Sequence, residues 1–250
     1  MRTLKLTLAY DGTNYVGWQR QDNGLSVQQV IEEAFVPLVS AEMAEGRAPA
    51  VVGAGRTDSG VHALGQVASV NLDSGLPADA VQRALNVRLP LDVRVVAAVE
   101  AAPGFNARSE AAGKTYRYRV ATTPVLSPFD RLYVFHGPGP HDVSGMRRAA
   151  ARLVGRHDFA SFQTTGSWPL DTVRTIHRLE VRETAGELAI EVEGDGFLRH
   201  MVRAIAGTLL EVGLGQRAPD TITDVIAARD RQAAGRTLPA LGLTLVTVRY

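Results

Sequence analysis

The sequence predicts an α+β fold: two ferredoxin-like βαββαβ halves joined into one mainly antiparallel sheet with helices on one face. Three observations predict it. Short runs of strict apolar alternation are interleaved with stretches of helical periodicity. The order strand, helix, strand, strand, helix, strand occurs twice, which is the split βαβ pattern. The 250 residues are 45% hydrophobic and 21% charged, enough apolar surface for one large domain or two of ordinary size. The halves are assigned to residues 1–104 and 105–250. The break falls in AAPGFNARSEAA at 101–112, where Pro, Gly and small residues interrupt the periodicity.

In the first half, Leu4, Leu6 and Leu8 alternate with Thr3, Lys5 and Thr7, the pattern of a half-buried strand over 3–9. Asp11-Gly12 marks a turn. Ser26 precedes Val27, Val30, Ile31, Ala34, Phe35 and Leu38 at helical spacing, with Gln29 placed for a capping box, and Pro37 bends or ends that helix. Strands follow at 49–54 and 66–72, with a glycine-rich loop between them. A helix over 77–88 opens on Pro77, and Val93, Val95, Ala97 and Val99 mark the next strand. The second half reads as a strand at 114–121, a helix at 142–155, strands at 173–183 and 187–193, helices at 197–212 and 219–229, and a last strand at 243–250.

Composition excludes several classes of function. The chain has no cysteine, so disulfide frameworks, thiolate metal sites and cysteine nucleophiles are out. No run reaches the roughly 18 apolar residues that span a bilayer, and the opening MRTLKLTLAYDG lacks a signal-peptide core. A soluble cytoplasmic protein with no membrane association is expected. Formal net charge is +1, from 27 Lys and Arg against 26 Asp and Glu, so a uniformly basic coat is absent. All the cations but Lys5 and Lys114 are arginine, the better residue for bidentate phosphate contact. The excess is local. Residues 104–131 carry five cations against two acids, and residues 146–182 carry seven arginines against three acids. These runs read either as solvated strand faces or as a basic strip facing a polyanion.

Three runs could carry chemistry. GAGRTDSGVH at 53–62 sets Arg56, Asp58 and His62 in a glycine-rich loop between two strands. Asp58 there either caps its own loop as an Asx-turn or is presented to a ligand by backbone that glycine lets approach closely. A full dinucleotide-binding pattern and a phosphate-loop lysine are both missing, and the six histidines show no ligand spacing, so no metal site is expected. In Lys114-Thr-Tyr-Arg-Tyr-Arg119, a strand points Tyr116 and Tyr118 to one face and Arg117 and Arg119 to the other. The tyrosines read either as core residues or as a platform for a base. In FLRHMVR at 197–203, Arg199 and Arg203 are four apart and are expected to share a helix face.

Together these runs resemble the TruA-type tRNA pseudouridine synthases. The matching runs are YDGTNYVGWQRQ at 10–21, AGRTDSGVHALGQVA at 54–68, FNAR at 105–108, KTYRYR at 114–119, HDFASF at 157–162, GFLRHMVRAIAG at 196–207 and LGLTL at 241–245. They occur in family order over almost the whole chain. The resemblance implies an isomerase that converts uridine to pseudouridine at positions 38, 39 and 40 in the anticodon stem-loop of tRNA, without a cofactor. It implies that Asp58 is the catalytic aspartate, acting as a nucleophile on the ribose or as a base. Arg203 is then its cationic partner. Tyr116 stacks on the target base and takes part in removing the C5 proton, and Arg56 helps extrude the nucleotide. Arg199 is a further substrate-binding residue, and Leu243 and Leu245 form an apolar wall. The partners implied are the tRNA anticodon arm and a second copy of the chain in a homodimer, with no DNA. A non-catalytic RNA-binding module would account for the tyrosines but not for the aspartate in its glycine loop. A base-excising hydrolase would release free base, whereas isomerisation retains it.

Overall fold

A computed structural model describes residues 1–38, 48–167 and 171–250 of the chain. The fold is α+β. Among the described residues there are ten strands, hydrogen-bonded mainly antiparallel, and five α-helices. The chain divides into two compact units. One comprises Met1–Ala112 with Leu245–Tyr250, the other Gly113–Thr244.

The first unit holds β1 (Arg2–Tyr10), α1 (Val27–Phe35), β2 (Val51–Gly53), β3 (His62–Leu72), α2 (Ala78–Arg88) and β4 (Val93–Glu100). The greater part of the last strand, β10 (Leu243–Arg249), also belongs to it. The strand order is β4-β1-β3-β10, with β2 paired to β3. The alternation in β1 does what it predicts. Leu4, Leu6 and Leu8 are fully buried, and Leu4 and Leu6 lie opposite Val70 and Ala68 of β3, themselves buried. Burying each such leucine contributes roughly 1.5–3 kcal/mol. Ile31 and Phe35 of α1 and Val81 and Leu85 of α2 are the buried stripes of the two helices.

Helix α1 starts where its cap places it. The Ser26 hydroxyl accepts a hydrogen bond from the Gln29 amide at 3.2 Å. The Gln29 side chain turns forward to Glu33 at 2.9 Å. The helix ends at Phe35, and Pro37 sits in the 3₁₀ turn Val36–Leu38 that follows. In α2, Pro77 is the N-cap residue and not the first helical one, with ψ 155°. The outer edge of β4 is covered by α2. Asn86 exchanges two hydrogen bonds with Val95, and Gln82 donates to the carbonyls of Val95 and Val96. These amides occupy backbone groups that an edge strand otherwise offers to another chain.

The second unit holds β5 (Gly113–Ala121), β6 (Phe135–His136), α3 (Val143–Ala151), β7 (Gly155–Asp158), β8 (Val173–Thr184), β9 (Glu187–Gly194), α4 (Met201–Gly213) and α5 (Ile222–Ala228). The order is β5-β9-β8-β7, antiparallel throughout, with the two-residue β6 parallel to β5. Strands β6 and β7 are not in the sequence pattern, and three helices differ from it. Helix α3 stops at Ala151 because the chain turns and enters β7 at Gly155, whose φ is +113°. The expected 219–229 helix is a 3₁₀ turn, Pro219–Thr221, leading into α5. Helix α4 begins at Met201 because His200 adopts left-handed backbone, φ 63°, which a helix interior excludes. Arg199 therefore lies outside the helix, and the expected shared face with Arg203 does not form. No described helix is long and apolar enough to cross a membrane.

Two stability measurements check this account. Ser26→Ala is expected to lower unfolding free energy by about 1 kcal/mol in urea titration, the usual cost of an N-cap. Tyr10 ends β1 with 4% of its surface exposed, and burial pushes its phenol up to about 12 although hydrogen bonds with Thr57 and Gln66 pull the other way. The folded value lies above the unfolded one, so the stability it contributes is complete below pH 10 and is lost as pH rises through about 12. The wild type should lose about 3 kcal/mol more than Tyr10→Phe over that window.

Candidate active site

The loop between β2 and β3 carries Asp58, and its shape is imposed from outside. Thr57, just before the aspartate, is buried and held three ways. Its carbonyl accepts a hydrogen bond from the Trp18 amide at 3.1 Å. Its hydroxyl shares a hydrogen bond of 2.8 Å with the Tyr10 phenol. Gly17 packs against the same carbonyl at φ +107°, where a Cβ would come within 2.5 Å of the Thr57 oxygen, so only glycine fits. Just after the aspartate, the Ser59 hydroxyl and the Gly60 amide both donate to the Tyr15 carbonyl, at 3.2 and 3.3 Å. The Val61 amide closes the turn onto the Asp58 carbonyl at 3.1 Å. Upstream, the fully buried Gln66 donates to the Gly55 carbonyl at 3.0 Å. Asp58 is thus half-buried at the tip of a loop fixed on both flanks, and Arg56 is exposed two residues before it.

Tyr10, Tyr15, Gly17, Trp18 and Gln66 are the residues that the reading of the glycine loop alone leaves out. All but Gln66 fall in the run YDGTNYVGWQRQ, and Gln66 falls in AGRTDSGVHALGQVA, so a motif signal existed. Periodicity does not report their role, because the contacts of Tyr10, Tyr15, Gly17 and Trp18 join positions about 40 residues apart and Gln66 reaches back to Gly55 across the loop.

In the second unit, both tyrosines of KTYRYR face inward. Tyr118 is fully buried and Tyr116 is 7% exposed. The Tyr116 ring meets Phe197 edge-on, with centroids 5.3 Å apart at 87°, a favoured aromatic geometry. Tyr118 donates its phenol proton to the Pro239 carbonyl at 2.8 Å. Arg203, the third residue of α4, is half-buried, and its Nε donates to the Leu238 carbonyl at 2.7 Å. Arg199 is exposed in the turn before α4, where its carbonyl accepts from the Thr164 amide. Leu243 and Leu245 are buried at the start of β10, at 5% and 0% exposure, the former in the second unit and the latter in the first.

The two basic runs are less basic than their counts. Arg117 donates to one oxygen of Glu191, Oε2, through Nε at 3.1 Å and Nη2 at 2.9 Å. Arg119 grips Glu187 with two bonds of 2.8 and 2.7 Å. Arg178 reaches Glu180, Glu191 and Glu193, and Arg182 joins Glu180. Burial works to raise the Glu191 carboxyl, but hydrogen bonds from Arg117 and Arg178 outweigh it and hold the group below the usual range. These arginines are a paired ladder on β5, β8 and β9, not bare charge awaiting a polyanion.

The chain matches the tRNA pseudouridine synthase family over residues 7–108 and 149–250. It is 44% identical over 250 residues to the tRNA pseudouridine synthase A of Geobacter sulfurreducens, covering all of both chains. It is 46% identical to that of Myxococcus xanthus, covering all of this chain and 92% of the relative. Among solved structures it is similar to a Cbf5-Nop10-Gar1 complex, at a TM-score of 0.33 and 14% identity, covering 83% of this chain and 45% of that one; a likeness that slight transfers neither fold nor chemistry. Family profile and full-length relatives agree, and the chain belongs to the tRNA pseudouridine synthase family.

Proposed function

We propose that this enzyme isomerises uridine to pseudouridine at positions 38, 39 and 40 in the anticodon stem-loop of tRNA, with Asp58 as its catalytic carboxylate. The observation that carries the reading is the Asp58 loop, an aspartate fixed on both flanks in a chain whose full-length relatives are named tRNA pseudouridine synthase A. The reaction breaks the bond between N1 of uracil and C1′ of ribose, turns the detached base, and joins C5 to C1′. A proton leaves C5 and one is gained at N1, so atoms balance with no oxidant, reductant or water consumed.

The residues divide the work. Asp58 acts on the ribose, by attack at C1′ or by removing a sugar proton. Arg203 is assigned the place of the cation that accompanies this carboxylate. Tyr116 stacks on the target base and takes part in removing the C5 proton; its edge contact with Phe197 holds the ring in one orientation. Arg56, exposed beside Asp58, fills the space the extruded nucleotide leaves, offsetting an unstacking cost of a few kcal/mol. Arg199 contacts phosphate from its exposed turn. Leu243 and Leu245 keep water from the detached uracil. The protein works in the cytoplasm as a homodimer, and recognition is mostly of phosphate and helix shape, since an A-form stem hides its major-groove edges.

Unmodified tRNA tritiated at uridine C5 tests the assignment. Wild-type protein is expected to release tritium from anticodon-arm uridines, and Asp58→Asn to bind the same tRNA within a few-fold while releasing none. Release by Asp58→Asn at a rate near that of the wild type would remove Asp58 from the mechanism. Phosphate-dominated binding carries its own signature: raising salt from about 50 to 200 mM should weaken tRNA affinity at least ten-fold in a filter-binding titration, and a flat salt response would contradict it.

A further inference from the structure

Residues 235–242 form a strap laid along α4, and its register is locked at four points within the second unit. The Gly235 amide donates to the Thr208 hydroxyl at 2.9 Å, and that buried hydroxyl in turn donates to the Ala204 carbonyl at 2.8 Å. The Arg236 amide donates to Glu211 Oε1 at 3.2 Å, while the other oxygen of Glu211 holds Arg217. The Arg236 carbonyl lies so close to Gly207 that any Cβ there would run into it. The strap then exchanges bonds with Arg203. The Leu238 amide donates to the Arg203 carbonyl at 3.3 Å, and the Leu238 carbonyl accepts Arg203 Nε at 2.7 Å.

The next carbonyl along, that of Pro239, accepts the Tyr118 phenol at 2.8 Å. Two adjacent peptide oxygens therefore tie Arg203 and Tyr118 to the same point. Tyr118 is fully buried, and a Cβ on Gly242 would come within 2.7 Å of its ring, so the strap closes down on the tyrosine at both ends of this stretch. A guanidinium is planar, so holding its Nε edge fixes the direction of its two terminal amino groups. A displaced strap would leave Arg203 with its stem in place and its charge misdirected.

We propose that Tyr118 is a positioning residue: it touches no substrate, and it aims the Arg203 guanidinium by holding the Leu238–Pro239 carbonyls against the start of α4. Only the kinetic consequence rests on the function proposed above. The strap geometry stands apart from it.

The test uses full-length protein labelled with ¹⁵N in its arginines. The Arg203 Nε–H signal is assigned by its loss in Arg203→Lys. Tyr118→Phe keeps the ring and removes one donor. It is expected to speed exchange of that Nε–H with solvent at least ten-fold, and to lower kcat for tritium release at least ten-fold with KM for tRNA within two-fold. Thr208→Val attacks the same strap from its other end and should act alike, while Thr208→Ser, which keeps the hydroxyl, should behave as wild type; this pair decides the matter if Tyr118→Phe does not fold. Unchanged exchange in Tyr118→Phe and Thr208→Val would overturn the proposal whatever their activity, and so would faster exchange with kcat intact. Faster exchange in a protein whose wild type releases no tritium would uphold the positioning and discard the function proposed above.

Discussion

The Thr57 carbonyl is the point on which the first unit turns. It receives the Trp18 amide and presses against Gly17 at a distance no other residue tolerates. Both partners belong to the segment that follows β1, so the strand that builds the core also delivers the clamp. Leu4, Leu6 and Leu8 anchor that strand by burial, and Tyr10 at its end reaches the Thr57 hydroxyl. A loop rich in glycine would otherwise lose more backbone entropy on ordering than any other sequence. Bonds to Tyr10, Tyr15, Trp18 and Gln66 offset that cost, and the aspartate is left with one backbone position. Pre-organisation of this kind is what a carboxylate needs if it is to act on a substrate without first being gathered.

The second unit solves a related problem with charge. Glu191 is only 7% exposed, a costly place for a carboxylate, and it is tolerated because Arg117 and Arg178 both hold it. The same strands place Tyr116 and Tyr118 on the opposite side, one against Phe197 and the other under the strap. Alternation along β5 thus separates a structural salt ladder from an aromatic face. A chain of net charge +1 can in this way spend many arginines on its own architecture and still present exposed ones, such as Arg56 and Arg199, elsewhere.

What could be read from the sequence follows the range of the forces involved. Strands with clean alternation, β1 and β5, and the capped helix α1 were legible because neighbouring residues alone specify them. The two-residue β6 and the polar β7, Gly-Arg-His-Asp, were not, since neither carries a period. Strand β3 starts at His62, four residues before its expected start, because Gly65 lies against the Val246 carbonyl and breaks the apolar pattern that marked it. The early end of α3 and late start of α4 come from single positive-φ residues, Gly155 and His200; the histidine gives no warning in composition. Asp58 stood out in its loop, and the motif resemblance supplied candidate roles. The clamp around that loop and the strap over α4 depend on contacts between distant positions, and neither leaves a local trace.

In the function proposed above, the clamped loop presents the Asp58 carboxylate to the sugar of an extruded uridine. A co-crystal with an anticodon arm carrying 5-fluorouridine tests it most directly, because fluorine at C5 cannot depart as a proton and the reaction halts before release. One flipped nucleotide among positions 38–40 is expected, with the Asp58 carboxylate in contact with its ribose and Thr57 still bonded to Trp18 and Tyr10. A bound arm whose target sugar sits away from Asp58, against some other acidic residue, would contradict it.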